Sequence, residues 1–379
     1  MRDRTAAEAT GLITDHAAPP GRTPSGRVPP GCAPSAPERH LRIEQLPKAL
    51  LCVPLVLQWL WLSLRYRSLT LPSSLNPGIE TGGLVGESKS GCLARIDEAF
   101  APWVAAWCRV RPGADPQRAR LAAGLAFPLI AKPDIGWCGY GVRRIDDAAA
   151  LQAYAGGVPA DADFILQHLV AAPNEAGLLY VRRPGAAEGA LVAMTQRHPP
   201  AVTGDGRRSV AALIEHDARC RRHRAAYEAS AGEAALRRVP APGEQVVLTT
   251  IASLRVGARY EDISAQITAP LASRVAAIAG SMPGFHYGRF DVRFTSVAAL
   301  REGRFSIIEV NGAGSEAIQF WDPSLRLLDA FRGVFAKQRQ LFELGDAMRR
   351  RGHAPVGPVA LARAWLHQQS RLRRFPASG

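Results

Sequence analysis

The sequence predicts an α+β fold, and three patterns carry the prediction. Residues 288 to 317, GRFDVRF…FSIIEVNGAGSEA, read as two strands joined as a hairpin. Residues 129 to 142, LIAKPDIGWCGYGV, read as a strand, a glycine-rich loop and the start of a return strand. Helical spacing at 209–230, 269–280 and 322–350 is interspersed with further strand runs at 164–170, 178–181 and 191–195.

The hairpin holds the most chemistry. Arg289 to Phe294 alternate charged and apolar residues with period two, which is a strand with one wet face. After a turn ending at Glu302-Gly303, Phe305 to Val310 form a second apolar run that closes on Glu309-Val310-Asn311. Glu309 and Asn311 share a face because residues two apart on a strand point the same way. If the strands pair, Asp291 joins them. Two carboxylates and an amide oxygen form a hard-oxygen set suited to Mg²⁺, or Mn²⁺ in its place. For this segment alone a solvated hairpin face is the plainer reading, and the rest of the chain has to decide.

Bulk properties bound the answer. A chain of 379 residues with 47% hydrophobic content has room for two or three structural units, each with a core. Its net charge of +14, mostly arginine, favours anionic partners such as nucleotides or acidic lipid. The charge is spread along the chain, so no specific nucleic-acid partner is expected. Six scattered cysteines without a CxxC pair read as reduced thiols of a cytoplasmic protein, neither a disulfide framework nor a zinc site.

In order, residues 1–40 are proline-rich and poor in apolar residues, which predicts a disordered tail without the apolar core of a secretion signal. A helical region over 41–110 follows. It opens with LPKALLCVPLVLQWLWLSL, read first as a buried or docking helix, with membrane-surface contact through 46–67 as the second reading. Glycines at 78, 82, 83 and 86 mark a loop, and Glu87-Ser88-Lys89 leads into a helix expected over 90–108. Asp115-Pro116 opens a helix, and the strand into Lys132 is followed by Gly136, Gly139 and Gly141, whose backbone N–H groups are free to approach an anion. No lysine and hydroxyl follow those glycines, which excludes a Walker A loop. Asp146 is the expected cap of the next helix. A turn at Gly204-Asp205-Gly206-Arg207-Arg208 precedes a basic helix capped by Ser209 and running to residue 230, then a linker over 231–243. The principal domain spans 111–335, and 336–379 form a helical extension ending in disorder.

Taken together, these parts resemble the ATP-grasp superfamily, in particular its carboxylate–amine ligases such as D-alanine–D-alanine ligase and the ATP-grasp part of cyanophycin synthetase. The resemblance covers about residues 85 to 318, with GRFDVRF…IIEVNGAGSEA its most specific portion. It implies two α+β subdomains with antiparallel sheets gripping ATP between them. It further implies that Lys89 and Lys132 are the two ATP lysines, and that Gly136, Gly139 and Gly141 form the loop closing over the phosphates. Leu166 to Leu169, including Gln167, would be the adenine hinge, and Glu175 the ribose-binding acid. Asp291, Glu309 and Asn311 match the Mg²⁺ ligands and Arg289 the arginine facing the acyl oxyanion, while Arg207 is assigned to phosphate. Gln167 departs from the acidic hinge residue common in the family. The amino-terminal α/β domain of such ligases is replaced here by the tail and the apolar helix.

The chemistry implied is ATP-dependent joining of a small carboxylate to an amine through an acyl phosphate, releasing ADP and phosphate. Two rivals share part of the pattern. An ATP-grasp kinase would phosphorylate a hydroxyl, and a basic, non-catalytic ATP-binding protein would sit at a membrane or nucleic acid. No Ser/His/Asp or Cys/His nucleophile set is evident, and His168 and His286 read as structural.

Overall fold

The apolar stretch near the start folds as helix α1 (Lys48–Tyr66), which docks one face and leaves the other bare. Leu62 is fully buried with Trp59 and Tyr66 against Phe342, whereas Leu50, Leu57, Trp61 and Leu64 are exposed. By length and composition Ala49–Tyr66 is apolar enough to cross a membrane, with mean hydropathy 1.4. The computed structural model describes residues 43, 46–230, 232–376 and 378; the stretch 1–40 lies outside the described residues. The described residues form one compact unit.

The expected helix over 90–108 is replaced by three short pieces. Ser88 caps α2 (Lys89–Leu93), accepting from the Gly91 amide. A 3₁₀ turn over Glu98–Trp103 follows, capped by Asp97 and containing Pro102, which has no N–H to continue a helix. Trp107–Val110 is then strand β1, because it finds a partner strand that local pattern does not reveal. Asp115 caps α3 (Pro116–Ala122) as expected. Strands β2 (Leu129–Pro133) and β3 (Arg143–Ile145) flank the glycine-rich loop, and α4 (Ala148–Gly156) is capped by Asp147, one residue beyond the expected Asp146. With β4 (Phe164–His168) these strands form an antiparallel sheet in the order β1-β4-β2-β3.

A second antiparallel sheet contains β5 (Asn174–Val181) and β6 (Ala190–His198), hairpin-joined around Pro184-Gly185. Next come β7 (Ala201–Thr203), α5 (Val210–His216), α6 (Ala218–Arg222), α7 (Arg224–Ser230), α8 (Glu233–Arg237) and β8 (Gln245–Val247). Ser209 caps α5 as expected, but the single basic helix is broken at Asp217, which caps α6, and the linker region 231–243 contains α8. β7 and β8 pair, and this excursion has its own core around Val210, Ile214 and Tyr227. The chain returns through β9 (Arg259–Asp262), α9 (Ala269–Ser281), β10 (Tyr287–Phe294), α10 (Val297–Arg301) and β11 (Ser306–Asn311). The large sheet runs β11-β10-β5-β6-β9. The closing helices are α11 (Leu327–Arg349) and α12 (Pro358–Leu372). Beyond α12, Phe375 is buried and Ser378 is hydrogen-bonded, so the expected disorder after the last helix is not found at those positions.

The expected α+β class with two antiparallel sheets is therefore observed, and strand alternation explains how both sheets serve one cavity. On β10, Phe290, Val292 and Phe294 enter the core beneath α9 with Ala176, Leu178 and Tyr180 of β5. The intervening residues Arg289, Asp291 and Arg293 point the other way, as period two requires. On the small sheet Leu129 and Ala131 join the core with Leu166, leaving Ile130, Lys132 and Gln167 for the cavity.

Candidate active site

The two sheets line a cavity of about 680 Å³, inside the usual range for small-molecule sites. β10 and β11 pair antiparallel with Arg289 opposite Asn311 and Asp291 opposite Glu309. Those four side chains therefore share one face. The register slips between Asp291 and Val292, so Ile308 is an extra residue on β11, and its carbonyl accepts from the Lys132 ammonium at 2.9 Å. That contact ties the small sheet to the large one.

On the large sheet the charges form a closed network. Arg289 donates to both oxygens of Asp291 at 2.6 and 3.1 Å and to the Glu316 carbonyl at 3.0 Å. Arg197, on β6, bridges Asp291 at 3.0 Å and Glu175 at 2.8 Å. Glu175 also pairs with Arg293 at 3.4 Å, so both of its oxygens are engaged. Asn311 lines the cavity and donates to Asp291 at 3.3 Å. Burial would raise the Asp291 carboxyl, but Arg289 and Arg197 outweigh it and hold it below the usual carboxylate range. Gly177 makes room for this network: a Cβ there would lie 2.7 Å from Arg289 Cδ and 2.7 Å from Ile318 Cδ1.

The two lysines arrive from the other side. Asp134, just after β2, accepts from Ser88 Oγ at 2.7 Å and from the Ser90 amide at 2.8 Å, while its carbonyl takes the Lys89 amide at 3.0 Å. This clasp sets α2 in register with β2. Lys89 pairs with Glu309 at 3.0 Å; burial would lower its ammonium, but Glu309 outweighs that and raises it. Glu309 is in turn held below its usual range, since Lys89 and Lys132 overcome the upward push of burial. Lys132 donates only to neutral oxygens, Gln167 Oε1 at 2.9 Å and the Ile308 carbonyl, and burial pulls it down to about 8.

Of the glycines, Gly136 and Gly139 line the cavity and Gly141 does not. Gly139 and Gly141 have φ of +74° and +71°, the left-handed region that glycine adopts without strain. Leu169 follows the last paired residue of β4 and lines the cavity with Ile130, an apolar slot beside Gln167. Arg207 is not brought to the site. It sits exposed on the turn before α5, where its amide donates to Asp205, because the excursion from β7 to β8 packs its own core away from the cavity lining.

Several residues that sequence reasoning missed also belong here. Arg197 neutralises two carboxylates at once. Glu87 lines the cavity and accepts from the Gly312 amide at 2.8 Å, and burial pushes its carboxyl up to about 7. Arg255 donates to the Cys138 carbonyl at 3.0 Å and stacks 4.3 Å from the Tyr140 ring centroid, bracing the glycine-rich loop. Glu87 and Asp134 sit next to the expected lysines, and that adjacency was the available signal. Arg197 carries none, because its partners lie 22 and 94 residues away.

The shared face of β10 and β11 carries two carboxylates and an amide, with both Asp291 oxygens taken by Arg289 and Arg197 and Glu309 paired with Lys89. Asp291, Glu309 and the Asn311 oxygen share one face of adjacent strands, whereas among the described residues no three His, Cys, Asp or Glu side chains cluster as a metal site.

No protein-family description matches the chain, and no curated protein matches it. Among solved structures it is similar to D-alanine–D-alanine ligase from Bacillus anthracis, at 14% identity and TM-score 0.42, covering 73% of this chain and 72% of that one. It is similar to the VanG D-Ala:D-Ser ligase from Enterococcus faecalis at 13% identity and TM-score 0.39, covering 70% and 64%. It is also similar to a bifunctional glutathione synthetase from Pasteurella multocida at 14% identity and TM-score 0.35, covering 66% of this chain and spanning 36% of that protein's length. At these scores the overlap is loose, and the chemical reading of the site stands on its own residues.

Proposed function

We propose that the protein is an ATP- and Mg²⁺-dependent ligase of the ATP-grasp type, joining a small carboxylate to an amine. The observation that carries this reading is the convergence of Lys89 and Lys132 with Arg289, Asp291, Glu309 and Asn311 in one cavity between two antiparallel sheets. A binding module for anions has no use for a carboxylate pair and an amide arranged opposite two lysines.

In this reading Lys132, Lys89 and the loop amides at Gly136 and Gly139 receive the phosphates. Ile130 and Leu169 flank the adenine, with Gln167 at the hinge. Asp291, Glu309 and Asn311 would hold Mg²⁺ in exchange for the Arg289, Arg197 and Lys89 contacts on the two carboxylates, and it would supply charge neutralisation at the phosphates. A carboxylate oxygen of the substrate attacks the γ-phosphorus, the bond to the β–γ bridging oxygen breaks, and ADP leaves an acyl phosphate. The amine nitrogen then attacks the acyl carbon. Arg289 faces the oxyanion of that step, and the carbon–oxygen bond to phosphate breaks as the nitrogen loses its proton. Most of the protein's share is positioning and charge complementarity. The ribose role of Glu175 competes with Arg197 and Arg293, which already occupy both its oxygens.

The test is ADP release across a panel of amino acids and short peptides, with mass detection of products. ADP and an amide product, formed only when a carboxylate and an amine are both present, are expected. A stable phosphorylated product without an amide would replace the ligase with a kinase. Absence of ATP binding would remove both.

A further inference from the structure

The glycine-rich loop is held from outside by a segment that the proposed chemistry leaves unused. Gln368, on α12 and at the rim of the cavity, donates to the Gly136 carbonyl at 3.3 Å while its Oε1 accepts from the Gly86 amide at 3.0 Å. One side chain thus joins the loop to the segment three residues before Lys89. Further on, the Ser378 hydroxyl donates to the Gly139 carbonyl at 2.8 Å and accepts from the Gly141 amide at 3.1 Å. Ser378 lies off the cavity lining, as does Gly141, so this contact braces the loop from behind and leaves its inner surface open.

The segment itself is anchored. Arg371 donates to the Asp161 carbonyl at 2.6 Å, Arg374 pairs with Asp161 at 3.0 Å, and Phe375 is buried in the core of the small sheet. Gly136, Gly139 and Gly141 are each bonded to it. A loop with this much glycine has high conformational entropy when untethered, and ordering it on ligand binding costs affinity. Outside contacts that order it beforehand remove part of that cost.

We propose that Gln368 and Ser378 are positioning residues that pre-order the glycine-rich loop and so set the affinity of the site for a nucleoside triphosphate. The proposal rests on the nucleotide reading of the cavity. Ser378 lies off the cavity lining and acts through the loop backbone alone, whereas Gln368 lines the cavity and reaches the loop backbone as well.

The experiment compares the full-length protein with Ser378→Ala, Gln368→Ala and the double variant. Three quantities are read: ATP affinity in the presence of Mg²⁺, backbone hydrogen exchange over 136–142, and thermal unfolding. Losing these hydrogen bonds should weaken ATP binding by about tenfold in the double variant. Exchange at the Gly141 amide should speed up in Ser378→Ala, with an unfolding midpoint close to wild type. Ser378→Thr, which keeps the hydroxyl, should restore both exchange and affinity. Faster loop exchange with unchanged ATP affinity would overturn the proposal, as would unchanged exchange in Ser378→Ala. If the wild type binds no ATP, the nucleotide reading fails and the affinity claim falls with it, while loop exchange still reports whether the brace exists. Should the double variant not fold, Ser378→Ala alone decides, since it removes a single hydroxyl.

Discussion

The two sheets facing each other across the cavity treat buried charge in opposite ways. On the large sheet Asp291, Glu175 and Arg289 are locked in ion pairs of 3.4 Å or less, through Arg197 and Arg293. On the small sheet Lys132 is equally buried but touches only an amide oxygen and a backbone carbonyl. A closed network resists the loss of any member, because each loss strands a charge away from water. Removing a buried cation held by neutral oxygens leaves no carboxylate without an ion-pair partner, since Glu309 keeps Lys89, and it is the group that an anionic ligand completes. The comparison predicts that the large sheet is costly to disturb and the small sheet is cheap to disturb but essential to binding.

The largest expected effect is on stability. Asp291→Ala leaves Arg289 and Arg197 buried without their shared carboxylate and should cost about 3–5 kcal/mol, read from denaturant unfolding. Lys132→Met should leave stability unchanged or slightly raised. Equal losses in both variants would erase the distinction between the sheets.

Function should separate the same residues next. Arg289→Ala is expected to lower turnover by on the order of a hundredfold, since the oxyanion it faces exists only during reaction. ATP affinity should stay largely intact. Lys132→Ala should instead weaken ATP binding by roughly tenfold, the effect of losing one charge-assisted contact to ground-state phosphate. ATP titration with steady-state kinetics on both variants checks this, and the reverse pattern would exchange the two roles.

A smaller effect is a pH slope. The Lys132 amine is held at about 8 in the folded protein against 10.5 as the ordinary value. Between those values the unfolded chain binds a proton that the folded chain has lost, so stability rises with pH. The penalty is present in full below about pH 8 and fades towards pH 10.5. Unfolding of wild type and Lys132→Met from pH 7 to 10 should show the wild type gaining relative to the variant. A flat difference would mean that burial does not lower the Lys132 ammonium in the folded protein. Glu87 should act in the opposite sense at lower pH: with its carboxyl pushed to about 7 from 4.5, its contribution is present below about pH 4.5 and lost as pH rises through 7. Glu87→Gln should remove that fall.

How much of this was legible depended on whether the signal is local. Alternation placed Glu309 and Asn311 on one face, and the pairing of β10 with β11 adds Asp291, directly opposite Glu309. Caps at Asp115 and Ser209 mark real helix starts. The reading over 90–108 failed because α2 ends at Leu93, Pro102 sits in a separate 3₁₀ turn, and Trp107–Val110 becomes a strand through its pairing with β4, more than fifty residues on. Arg207 was placed in the site by motif position, yet the excursion between β7 and β8 folds around its own core and keeps that turn exposed.

By itself the sequence determined the strand faces, the glycine-rich turn between β2 and β3 and the residue types at the cavity, because side-chain direction on a strand and positive φ at glycine are properties of a few consecutive residues. Only the tertiary structure decided which charges neutralise one another, that Arg197 sits between Glu175 and Asp291, and that Gln368 and Ser378 reach back to a loop more than 230 residues earlier. Those contacts depend on which elements pack together, and packing is set by burial summed over the whole chain, so no short window of sequence carries it.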